Sequence, residues 1–186
     1  MLSQNELIKH FFNNYSKTKV AQLTAAINEQ GFDIKQLIDL TFNADKTIGF
    51  RAIWLLDSVM LSDLERYSAY LGYFLSRVKE VTNESCKRHY ARIMMFMTDA
   101  KAPDTVKAAL QKIDLEPTVE QFFDWIIDPK VKIAVKIFAA DTLYNLSGRY
   151  DWVAEELALQ TEILMRSGQP FITSRGEKLM AALKKS

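Results

Sequence analysis

The sequence predicts an all-α fold, a row of helix hairpins stacked side by side within one domain, residues 1–186. Apolar residues recur at three and four positions along most of the chain, and only six glycines and four prolines interrupt them. Two segments repeat one another at an offset of 85 residues, Gln36 falling on Gln121, Asp39 on Asp124, Ile48 on Ile133 and Arg51 on Lys136. Strand-like alternation never persists.

Helices are expected over 3–14, 17–30, 33–42, 46–60, 63–81, 84–98, 104–112, 118–127, 129–147, 150–166 and 171–184. The first amides of a helix need acceptors, which a short polar side chain supplies from the preceding position. Ser3 with Glu6 and Ser62 with Glu65 have capping-box spacing, and Asp33 with Gln36 is an Asp-led variant. Asp128 stands before Pro129 at a first helical position, while Gly31, Gly148 and Gly168 read as stops. In 63–81 the stripe Leu64, Tyr67, Leu71, Phe74, Leu75 and Val78 leaves Arg66, Arg77 and Lys79 largely outside it. Tyr67, Tyr70 and Tyr73 turn slowly around that helix and cannot be equally buried. In 84–98, Cys86 shares the phase of Tyr90, Ile93 and Met97 and reads as a packed cysteine, with Met94, Met95 and Met97 as packing residues. The segment from Val131 to Leu146 is apolar over most of its circumference, which suits a helix held between neighbours on both sides. Connections of a few residues fold each helix back on its predecessor. A closed bundle is the competing architecture; the internal repetition favours the open row.

The stretch DPKVKIAVKIFAADTLYNL resembles the second half of a HEAT repeat, with Asp128-Pro129 at the turn, Val135-Lys136 where that family often has Val-Arg, and Ala139 and Leu143 on the packing face. FRAIWLLDSV from Phe50 is a weaker copy, with Trp54 where a small residue is usual. The resemblance implies a right-handed alpha-alpha superhelix of about five HEAT-like hairpins. The whole chain also resembles small bacterial HEAT-like proteins of unknown function, some of which carry an adenylosuccinate lyase label. That enzyme's Gly-Ser-Ser-x-Met-Pro loop is absent here, so the activity is not expected.

Composition narrows function mainly by exclusion. Lys+Arg 24 against Asp+Glu 23 announces no polyanionic partner, the start MLSQNELIKHFF is not a secretory leader, and no apolar run is long enough to span a membrane; the reading is soluble and cytoplasmic. One cysteine precludes an internal disulfide, and His10 and His89 make no metal pair, so neither cofactor nor metal is expected. His89, in KRHYAR, reads as a solvated helix residue and His10 as a partly buried terminal one. With no phosphate-binding glycine loop and no serine elbow, the expectation is a non-enzyme.

Two acids stand out. Asp57 and Asp141 each follow two apolar residues in a long second helix, and stacked repeats can align an acid of one with a base of the next as a polar ladder that sets register. If second helices line the inner surface, Arg51, Arg88, Arg92, Lys136 and Arg175 could form a basic stripe, with Arg51, Arg88, Arg92 and Lys136 the candidate contacts to a protein or peptide partner. The alternative is nucleic-acid binding, related to alkylpurine DNA glycosylases built on HEAT-like repeats, which use aromatics with an acid near the lesion. Trp54 lies three residues before Asp57 here, but no motif maps residue by residue and no catalytic role is carried over. Of the tryptophans, Trp125 and Trp152 lie at or beyond the edges of their stripes, suited to core edges more than to interfaces.

Overall fold

The computed structural model describes residues 2–166 and 170–184. Helices run α1 Gln4–Phe12, α2 Lys17–Gln30, α3 Ile34–Leu40, α4 Lys46–Ser62, α5 Leu64–Tyr67, α6 Leu71–Ser76, α7 Glu84–Thr98, α8 Asp104–Gln111, α9 Glu116–Ile127, α10 Ile133–Leu146, α11 Asp151–Met165 and α12 Pro170–Leu183. Among the described residues there is no strand.

Two layers result. The second helices form one, with α2 on α4, α4 on α7, α7 on α10 and α10 on α12. The first helices form the other, α3 packing on α4, α9 on α10 and α11 on α12, while α6 stacks Phe74 on Tyr90 of α7 at 4.5 Å between ring centres. Helices α2, α4, α7 and α10 lie along one another, whereas α3, α6, α9 and α11 meet their layer neighbours over short stretches, as α12 does α10. One contiguous apolar core runs between the layers from Leu7 to Leu179.

The caps explain the borders. Ser3 and Glu6 form the expected reciprocal box, Asp33 Oδ1 accepts from the Lys35 amide at 3.0 Å, and α2 stops at Gly31, whose φ of 79° suits a residue without Cβ. Gly148 lies just beyond the end of α10. Gly168 lies outside the described residues.

Three expectations are corrected. Ser62 ends α4 instead of capping the next helix: its hydroxyl donates to the Val59 carbonyl at 2.7 Å, and Asp63 accepts from the Arg66 amide at 3.0 Å in its place. The helix expected over 63–81 is broken by 3-10 turns at Ser68–Tyr70 and Val78–Glu80. Ser68 and Ser76 hydroxyls bond back to the Glu65 and Tyr73 carbonyls, three residues earlier, which tightens the chain where an α-helix would continue. Finally, α10 begins at Ile133 and not at Pro129, because Asp128 closes a turn: its carboxylate accepts from the Lys130 amide at 2.8 Å and its carbonyl from the Val131 amide at 3.1 Å. That turn sends Val131 into the core.

Two elements depart from simple pairing. Helix α1 packs chiefly on α4 rather than back on α2. Helix α8 is inserted between α7 and the next pair, and Arg149 ties it down, Nη1 donating to the Leu110 carbonyl at 2.9 Å and Nη2 to the Ile113 carbonyl at 2.7 Å.

Candidate functional site

Side chains three, four and seven positions apart on a helix share a face, so each second helix presents one stripe to the open side of the row. On α4 the stripe is Phe50, Trp54 and Asp57; on α7 it is Arg88, Arg92 and Met95, with Phe96 beside them; on α10 it is Ala134, Phe138 and Asp141; on α12 it is Ser174, Arg175 and Lys178.

Polar bonds cross every junction of the row. Between α2 and α4, the Thr24 hydroxyl donates to Ser58 at 2.8 Å. Between α4 and α7, Arg92 Nη1 donates to both oxygens of Asp57, at 2.6 and 2.5 Å, and His89 Nδ1 lies 2.8 Å from Oδ2. Between α7 and α10, Asn145 Nδ2 donates to the Met95 carbonyl and the Thr98 hydroxyl, each at 3.2 Å. Between α10 and α12, Arg175 Nη2 donates to Asp141. The acids Asp57 and Asp141 therefore pair with bases of the following second helix, as a register-setting ladder requires.

His89 is the residue that sequence reasoning misplaced. It is not solvated: 17% of its side chain is exposed, and it shares Asp57 with Arg92. A carboxylate only accepts, so Nδ1 carries the hydrogen that faces it. The available signal was spacing, since His89 and Arg92 straddle the position on α7 that faces Asp57. His10 is half-buried.

The four candidate bases separate into two groups. Arg51 turns inward, Nη1 donating to the Phe11 carbonyl at the end of α1 while its guanidinium lies 5.5 Å from the Tyr15 ring centre. Lys136 is only 6% exposed, and its Nζ donates to the Ile126 carbonyl at the end of α9, 2.6 Å away. Burial lowers its pKa, with Asp128 opposing. Both cations thus satisfy carbonyls at helix C-termini, where the helix dipole favours positive charge, and neither extends a surface stripe. Arg88 is exposed, its guanidinium 5.9 Å from the Phe138 ring centre, and Arg92 is partly exposed above Asp57, 5.3 Å from the Phe96 ring centre.

A groove of about 490 Å³ runs where α7, α10 and α12 meet, lined by Arg88, Met95, Ile137, Phe138, Asp141 and Lys178 among others. It continues toward the C-terminal ends of the same helices past Asp99 and Asn145. Burial raises the Asp141 carboxyl above the ordinary aspartate range, against the opposing pull of Arg175. Cys86 lies away from this groove, 1% exposed, and burial pushes its thiol up to about 12. Trp125 is buried against Phe122, whereas Trp152 is 40% exposed and tilted against Phe123. Tyr67 is buried and donates to Asn28 Oδ1 at 2.6 Å, while Tyr70 and Tyr73 are half-buried.

Among the described residues, no group of three or more His, Cys, Asp and Glu side chains is placed to hold a metal ion, and no helix is long and apolar enough to cross a membrane. A family model described as a HEAT repeat domain matches residues 7–181. No curated protein and no solved structure matches the chain.

Proposed function

The chain belongs to the HEAT repeat family, and from that premise we propose that it is a non-enzymatic repeat module whose second-helix face docks a protein or peptide partner. The observation that carries the reading is the groove along α7, α10 and α12, which combines an apolar floor at Met95, Ile137 and Phe138 with charged side chains at its edge. Such a surface recognises a chain segment by apolar contact and holds its register by polar contact. The acid and base pairs of the ladder have a different role: Asp57 and Asp141 are engaged by arginines and keep the helices in line.

The nucleic-acid reading loses support for the same reason. Arg51 and Lys136 are spent on main-chain carbonyls and Asp57 is closed over by Arg92 and His89, so neither a continuous phosphate-binding stripe nor an acid open to a base is present at those positions. Duplex DNA is expected to show no salt-dependent association by fluorescence anisotropy at low ionic strength.

The deciding experiment is affinity capture from the native source with the wild-type chain and with Ala134→Trp, which fills the groove floor. A partner recovered reproducibly by the first and lost with the second supports the reading. No reproducible partner, together with turnover of a metabolite by the purified protein, refutes it.

A further inference from the structure

Charge around the groove is lopsided, and that asymmetry says what kind of segment fits. Arg175 and Asp141 compensate one another. Arg88 and Lys178, both exposed and both lining the groove, have no carboxylate partner among the described residues. Near Arg88, the carboxylate of Glu84 is already engaged by Lys87 at 2.6 Å and by the Lys132 amide at 3.3 Å, so it does not cancel the surplus. At the far end Asp99 lines the continuation of the groove together with Lys178, so the surplus is greatest beside Arg88.

We propose that this groove binds an acidic protein segment carrying a large apolar side chain, with its carboxylates toward Arg88 and Lys178 and its apolar residue over Met95, Ile137 and Phe138. The inference rests on the docking reading above and names the partner's chemistry. From Ile133 to Asn145 the lining covers about 18 Å of helix axis at 1.5 Å per residue. That length takes roughly five extended residues, enough for one anchor and the acids beside it. A basic segment would meet uncompensated Arg88 and Lys178, and a purely acidic one would leave the apolar floor in water.

The test is selection of a random-peptide display library on the immobilised wild-type protein, followed by anisotropy of a synthesised winner against variants. Enriched peptides are expected to carry acidic residues next to an aromatic or branched aliphatic one. The winner should bind R88E/K178E about tenfold or more weakly, as loss of close interfacial charge pairs implies, and R88K/K178R little differently from wild type. Both substitutions sit on exposed side chains, so equal thermal melts are the accompanying control. Absence of enrichment, enrichment without an acidic excess, or equal binding to the charge-reversed variant overturns the proposal. Efficient displacement of the winner by duplex DNA overturns it in favour of a phosphate backbone. If native capture yields a partner that Ala134→Trp loses while the selected peptides lack acids, the chemistry assigned here fails and the docking reading stands.

Discussion

Removing Arg92 should destabilise the row more than removing Asp57, and removing both should cost no more than removing Asp57 alone. Asp57 is 4% exposed in the middle of α4, and Arg92 supplies two of the contacts that hold its carboxylate, at 2.6 and 2.5 Å. Breaking a buried pair by deleting one partner costs roughly 3–5 kcal/mol because the remaining charge is stranded. Here His89 stays on the carboxylate and the Arg92 side chain is 36% exposed, so Arg92→Met is expected to cost about 2 kcal/mol. Asp57→Ala leaves an arginine that can turn to water, and its cost should be nearer about 1 kcal/mol. The double variant, like Asp57→Ala, leaves only the acceptor need of His89 unmet and strands no buried charge, so it should also cost about 1 kcal/mol, which makes the coupling comparable to the Arg92 effect itself. Urea unfolding followed by circular dichroism measures all three. An Arg92→Met cost below about 0.5 kcal/mol, or single-variant costs that simply add, would refute the claim that this contact is a desolvated register pin.

Further expectations come from other sites. The Cys86 thiol, buried and raised to about 12, should resist a thiol reagent at mildly alkaline pH in the native protein and react at once in denaturant; prompt native labelling would contradict its placement. Burial raises Asp141, so the folded chain favours its protonated form, and the stability of wild type relative to Asp141→Asn should fall as pH rises from about 3 to neutrality. A difference that instead grows with pH would mean that Arg175 outweighs burial. A Cβ at Gly49 would lie 3.0 Å from the Thr41 carbonyl oxygen, a main-chain atom held in the α3–α4 turn. Gly49→Ala should therefore lower the melting temperature, despite a helix-propensity gain of about 1 kcal/mol; a rise would show that the turn can give way.

Much of the fold could be read from the order of residues because helical periodicity and short connections are local properties. The 85-residue offset placed α3 and α4 in correspondence with α9 and α10. The acid ladder was also legible, since a carboxylate amid apolar residues must find a base and a stacked neighbour can supply one. What remained hidden were partners chosen across space. Lys136 and Arg51 occupy matching positions and look alike in sequence, and both reach carbonyls at the ends of other helices. His89 looked solvated because its neighbours in sequence are charged, and the side chain that holds it is on α4.

Sequence alone established an all-helical chain, its repeat, its packing stripes and the need for acid-base rungs between repeats, because each follows from spacing along a single helix. Only the packed row decided which cations remain on the surface, where 63–81 breaks, and that α7, α10 and α12 leave a groove with Arg88 and Lys178 at its edge. A helix's period says which face is apolar, but whether a polar side chain meets solvent or a neighbour's carbonyl depends on how closely the adjacent helix approaches, and that distance is set jointly by every side chain between them.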